Sequence, residues 1–437
     1  MRQTIGFLLV TLIILTPLAS EAHAMGMAQT SSVSQEPSLT KEGTSVLTLD
    51  QALKEAMERN PEISAAKKKW EEEKTKIVAA GSLPDPQAGV EQWGKHETWY
   101  DVSQTVPFPG KLILKGQSQA HEANRELGYY EAKQKEILQK VKVAYYGYFL
   151  AERQIEIFEE NTSILKNFSK VTENKYSVSK ASQSDLLRAE VEYSKALNEL
   201  VVLKQEKEVA MSDLNSLLDR DPNFEIGKPQ EPALGTFNLT YEELVKIALE
   251  NRPEVHAARH HVNHMDSELL SAKSDFIPDP MFQYSRRTFD NDTKDDNILM
   301  VKFNVPFIWF WRQGSLVGAA QKAKEGAQEE LRSMEAMTRS DIKSIFVKAK
   351  TARQMVELYR TSIIPQSHNA LKITQAGYES GSEGFSDFLD TQRSSLTLQM
   401  EYYQYLARYW SYLASLERIA GKDLVPFEAE TKEGTKI

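Results

Sequence analysis

The chain has 437 residues, with 53 Lys or Arg against 62 Asp or Glu and a formal charge of −9. This acidic balance, with a pI near 5.6, argues against nucleic-acid binding, which requires a basic footprint. Cysteine is absent, which removes disulfides, thiolate metal sites, thiol nucleophiles and cysteine-linked lipid together. Glycine (20) and proline (16) are scarce, as expected where long helices dominate. A mean hydropathy of −0.48 excludes a bundle of transmembrane helices, leaving membrane contact to short alternating strands or to the N-terminus.

Arg2 precedes an apolar run over residues 5–18, followed by Ala22-His23-Ala24. A charged start, an apolar stretch and an A-x-A site predict a signal peptide over 1–24, removed after Ala24. The run, about 14 residues, is short of the ~20 that span a membrane. Secretion without cysteines fits the periplasm or outer envelope of a bacterium. Residues 25–46, rich in Ser, Thr and Gln, read as a flexible leader.

The rest is a tandem repeat. LTLDQALKEAMERNPE at 47–62 matches LTYEELVKIALENRPE at 239–254. Pro84-Asp85-Pro86 matches Pro278-Asp279-Pro280, and Val106-Pro107-Phe108 matches Val305-Pro306-Phe307. Ser184-Asp185-Leu186-Leu187 matches Ser386-Asp387-Phe388-Leu389. The offsets are 192, 194, 199 and 202 in the same order, so one supersecondary plan is used twice. Repeat 1 covers 47–220 and repeat 2 covers 239–425, joined by a linker over 221–238; a flexible tail follows over 426–437.

Each repeat reads as helix, hairpin, very long helix, tight turn, helix. In the first, helices are expected at about 50–80, 112–176 and 184–218, with Pro84-Asp85-Pro86 ending the first. In the second they fall at about 241–274, 314–378 and 386–421, with Pro365 expected to kink the middle one or to mark a change of packing. The first long helix carries Leu138, Val141, Tyr145, Tyr148, Ile155, Phe158, Leu165 and Phe168 at spacings near 3.5, a coiled-coil seam. At roughly 65 residues it rises ~95 Å, about the sum of the two shorter helices. A globular core has no use for such lengths; a rod or tube wall does.

The hairpins pair 87–93 with 98–106 and 281–288 with 297–305. Leu299, Val301, Phe303 and Val305 alternate with Met300, Lys302 and Asn304, and Phe282 and Tyr284 alternate with Gln283 and Ser285. This pattern fits a membrane β-barrel wall, and equally a soluble hairpin half-buried on a helix; Gln92 interrupts the apolar face of the first strand. Four strands cannot close a barrel, and open edges are not tolerated in lipid. Membrane insertion therefore requires several chains to share one barrel, and three would supply twelve strands.

The repeated LTLDQALKEAMERNPE and LTYEELVKIALENRPE segments, QTVPFPGK at 104–111 and YESGSEGFSDFLDTQ at 378–392 resemble the TolC-type outer-membrane efflux family. The nearest likeness is to its CzcC- and CusC-like members of metal-efflux systems, and it covers about 47–425. The resemblance implies a mainly α fold with a small β part: a long antiparallel coiled-coil helical barrel and a four-strand share of a trimeric twelve-stranded transmembrane β-barrel. It implies a homotrimer in outer-membrane lipid with a periplasmic tunnel, partnered by a periplasmic adaptor (membrane fusion protein) and an inner-membrane pump of the RND type. Such a protein is an exit duct that exports substrates passively, heavy-metal cations among them. It needs no cofactor and is not an enzyme, and no Gly-rich phosphate loop or G-x-S-x-G elbow is found. The rival reading is a soluble periplasmic coiled-coil adaptor or scaffold, which would carry lipoyl-like β-rich segments not visible here.

The candidate site lies at the two helix-to-helix turns, which must converge at the mouth of such a tube. Asp387 and Asp390 share a face of the returning helix. In a trimer they would form two stacked carboxylate rings favouring cations, matching the aspartate pair of the family gate. Alternatively, the aspartates only cap a helix and offset its dipole. Asp185 has the capping role more clearly, with Tyr378 as its expected hydrogen-bond partner across the turns. Two departures from the family stand out: the first turn, Tyr176-Ser177-Val178-Ser179-Lys180, lacks the glycine of the second, and Glu383 stands where gates often place a basic residue. Finally, His256, His260 and His264 fall four apart, with His261 beside them, a spacing that can share a metal; an exposed polar helix face is the other reading.

Overall fold

The computed structural model describes residues 47–424, apart from 95–96, 233, 235–238, 290–293 and 306–309. The expected signal peptide, leader and C-terminal tail lie outside the described residues, as do parts of the linker and of both hairpin turns.

Each repeat opens on two helices joined at a proline, not on the single helix expected. In the first, α1 (Leu49–Arg59) starts from a capping box in which Thr48 Oγ1 accepts the Gln51 N–H and Gln51 Oε1 accepts the Thr48 N–H. Pro61 then forces Asn60 out of helical geometry, to φ −59° and ψ 123°. The Asn60 side chain caps α2 (Pro61–Ala80) by accepting the Glu62 and Ile63 N–H groups. The second repeat does the same with α5 (Tyr241–Asn251) and α6 (Pro253–Ser274) about Arg252. Here the joint residue cannot cap; its guanidinium reaches Thr338 and Asp341 instead.

The long helix α3 (Pro109–Ser177) has 69 residues, about 100 Å of rise. It returns as α4 (Gln183–Leu217). In the second repeat the long element is broken into α7 (Phe310–Leu358), a π-helical turn over Tyr359–Ile363, and α8 (Ile364–Ser380) before α9 (Phe385–Ala420). The expected kink at Pro365 takes this form: proline offers no N–H and crowds the preceding turn, and one widened turn absorbs the mismatch. Helix α3 is the shared beam, packing on α2, α4, α6 and α9, while α7 packs on α6 and α9. At Gly128 of α3 an added Cβ would stand 2.9 Å from the Pro253 carbonyl oxygen. Glycine there lets α3 and α6 meet backbone to backbone.

Two apolar cores hold this frame. The larger gathers Tyr145, Tyr148 and Phe149 of α3 with Trp410 and Leu413 of α9 and Leu244 of α5. The Tyr145 hydroxyl donates to the carbonyls of Leu47 and Gln230, tying the linker to the beam. The smaller core lies at the far end of α3 and α4, where the candidate site is.

The four strands β1 (Gln87–Trp93), β2 (Glu97–Thr105), β3 (Pro280–Phe289) and β4 (Asp296–Phe303) form one antiparallel sheet in that order. Strands β2 and β3 join the repeats directly, with Val102 opposite Tyr284 and Thr98 opposite Thr288. Val90, Tyr100, Val102, Tyr284, Phe282, Leu299 and Val301 are all exposed. The register places Val90 opposite Tyr100, Tyr284 opposite Leu299 and Phe282 opposite Val301, so they share one face. Ser285 and Ser103 of the other face are buried. Among the described residues no helix covers this apolar face. No described helix is long and apolar enough to cross a membrane.

At the junction of sheet and helices, buried Lys111 donates to Asp279 Oδ2 at 2.9 Å and to the Ile277 carbonyl at 2.7 Å. Asp279 Oδ1 also accepts the Phe108 N–H at 3.0 Å. The Pro-Asp-Pro landmark of the second repeat therefore anchors the start of α3.

Candidate aperture at the helical tips

The two turns are built alike. In the first, Lys180 N–H donates to the Lys175 carbonyl and Ser179 N–H to the Tyr176 carbonyl. In the second, Ser382 N–H donates to the Gly377 carbonyl and Gly381 N–H to the Tyr378 carbonyl. Both are Schellman closures, which put one residue in the left-handed region. Gly381 takes it at φ 89°, and Ser179 takes it at φ 59°. The glycine missing from the first turn is thus replaced by a strained serine in the same geometry.

The helices that leave the turns start alike too. The Asp185 carboxylate accepts from the Ser182 N–H and hydroxyl, and Ser182 Oγ accepts the Asp185 N–H. Asp387 Oδ2 accepts the Gly384 N–H at 3.2 Å, and glycine has no side chain to return the bond. Asp387 and Asp390 are both exposed on one face of α9, so the capping role and a solvent-facing carboxylate coexist at Asp387. Asp390 Oδ1 lies 3.7 Å from Arg393 Nη1.

Tyr378 is placed differently from expectation. Its hydroxyl pairs with Thr172 Oγ1 at 3.0 Å, not with Asp185. Its ring is buried against Phe168, 4.7 Å between centroids, and against Phe385 and Phe388. Lys175 Nζ sits 4.1 Å from the ring centre and donates to the Tyr378 carbonyl. Burial, with the Asp185 charge nearby, raises the phenol above its ordinary value. Tyr378 is the core of the tip and clamps the end of α3 to α8 and α9.

The sequence reading missed the ion pair that ties α4 to α9. Arg393 Nη2 lies 2.8 Å from Glu192 Oε1, which Lys195 also reaches at 2.9 Å. Burial opposes ionisation of Glu192, but the hydrogen bonds from Lys195 and Arg393 hold its carboxyl below the usual range.

The histidines do not form a fully exposed face: all four are half-buried, and His260, His261 and His264 contact α3. His256 Nε2 is 2.8 Å from the Glu250 carbonyl. His264 Nδ1 sits between Ser118 Oγ at 2.9 Å and the Ser118 carbonyl at 3.0 Å. A carbonyl only accepts, so Nδ1 carries the proton. His261 Nδ1 accepts from Arg125. His260 is held below the ordinary imidazole value by burial, then by His121 and His256. Among the described residues no three His, Asp or Glu side chains are gathered to hold a metal.

Long antiparallel helices joined to one four-stranded sheet with an exposed apolar face define the architecture of the described residues. Residues 244–422 match the family model described as outer membrane efflux protein. The chain is similar to the cobalt-zinc-cadmium resistance protein CzcC of Cupriavidus metallidurans, 23% identical over 89% of this chain and 93% of that protein. Its fold is similar to that of CusC, with a TM-score of 0.76 at 14% identity over 87% and 93% of the two chains. The CmeC outer membrane channel of Campylobacter jejuni matches at 0.74 and 15% identity, over 94% and 96%. Residues 244–422 therefore carry the signature of the outer membrane efflux protein family, and the chain shares the fold of CusC and CmeC.

Proposed function

We propose that the protein is the outer-membrane exit duct of a tripartite efflux system, a homotrimer whose three sheets close one twelve-stranded barrel above a helical periplasmic tunnel. The observation that carries this reading is the sheet: its exposed face is apolar, and among the described residues β1 and β4 each have one edge without a partner strand. Open edges are untenable in lipid, and a closed ring of such sheets removes them. A periplasmic adaptor (membrane fusion protein) and an inner-membrane pump of the RND type complete the route, and the likeness to CzcC supports heavy-metal cations as cargo. Asp387 and Asp390, repeated three times, line the periplasmic aperture as carboxylate rings, with Asp185 and Tyr378 holding the turns that frame it. The protein itself moves nothing uphill; it conducts.

The test is reconstitution. A trimer in mild detergent that conducts in a planar bilayer, with cation preference reduced in an Asp387→Asn, Asp390→Asn double variant, supports duct and aperture together. A monomer without conductance overturns the duct, and unchanged selectivity overturns the aperture.

A further inference from the structure

The helices α3 and α6 run antiparallel, and the close approach at Gly128 fixes their spacing. About two turns along the same seam, His121 of α3 faces His260 of α6 with ring centroids 5.9 Å apart. Both Nδ1 atoms are buried, and neither has a hydrogen-bond partner among the described residues. The neighbouring histidines are already engaged: His256 with the Glu250 carbonyl, His261 with Arg125 and His264 with Ser118. A buried imidazole nitrogen without a partner is a costly group to leave in a packed interface, and two of them in one contact call for a shared partner. Zinc–imidazole bonds of ~2.0–2.1 Å place two rings on one ion with centres roughly 5–6 Å apart, the separation seen here.

We propose that His121 and His260 form a binding site for one divalent transition-metal cation of the zinc, copper or nickel class, the ions that imidazole ligands favour. Two protein ligands join α3 to α6, and water completes the coordination shell. The site lies about 18 Å along α3 from its first residue, within the helical wall and well away from the aperture. It does not rest on the export reading, because a wall site binds its ion whether or not the tube conducts.

The experiment is equilibrium binding of zinc to the purified full chain in detergent, by calorimetry, with the melting temperature followed in parallel. Wild type should bind one zinc per chain and melt higher with zinc present. His121→Ala and His260→Ala should each lose both effects, while His368→Ala, an exposed residue of α8, keeps them. Cobalt added instead of zinc should give d–d absorption bands in wild type that both seam variants lose. Circular dichroism of the metal-free variants confirms that they are folded. Absence of zinc binding by wild type overturns the proposal, and so does binding that survives both seam substitutions.

Discussion

Ser179 sits in the left-handed region that the second turn reserves for Gly381. An L-residue there costs roughly 1–2 kcal/mol, so Ser179→Gly should slow local opening of the α3–α4 turn. Hydrogen exchange at residues 176–182 reads this directly, and an unchanged or faster exchange would contradict it. Glu192 makes the tip sensitive to acid. Its carboxyl is held low in the folded chain, so its contribution is complete above the ordinary value of about 4.3 and is lost as pH falls through the lower folded value. Stability should therefore drop between pH 5 and pH 3, and drop less in Arg393→Gln, where one of the partners that lower this carboxyl is gone. Thermal unfolding at the two pH values in both proteins is the measurement. Asp185 and Asp387 were legible as helix starters because the sequence spacing alone defines a cap. The Tyr378–Thr172 bond was not, since it joins residues 206 apart and depends on the two turns packing side by side.

Among the elements, the anchor of α3 offers the sharpest expectation. Lys111 is buried with Asp279 as its near partner, and Asp275 lies at 3.8 Å. Asp279→Ala leaves a buried cation with its main counter-charge removed, which costs about 3–5 kcal/mol; chemical denaturation should show it, and a loss well under 1 kcal/mol would mean that water reaches Lys111. The long helices were readable from sequence because an apolar period near 3.5 sustained over many turns has one interpretation. Where that seam begins, Ile137 is fully buried and its neighbour Leu138 only partly so, since α3 presents several faces to partners and no single stripe describes it. The joints at Asn60 and Arg252 were hidden because proline suits the first turn of a helix as well as it breaks one. The histidine ladder was visible on α6, but its counterpart Ser118, His121 and Arg125 on α3 matters only once those helices are known to pack.

For the molecule as a whole, the repeat order revealed the architecture, but not that the two hairpins merge into one sheet. The pairing of β2 with β3 unites residues nearly the length of a repeat apart, so both halves must be present before the sheet exists. Such distant pairing is slow to form. A chain emerging N-terminus first would carry β1 and β2 as an unpaired ribbon until the second hairpin arrives, a period in which a chaperone has most to do. The same stitch also makes the linker dispensable as a covalent bond. Residues 47–220 and 239–424, produced as two polypeptides, should recombine into one particle through β2–β3 and α3–α6, and co-purification of the fragments from a co-expressing cell measures this. Fragments that never meet would show that the linker, docked on Tyr145 and Tyr148, is a structural member and not a tether.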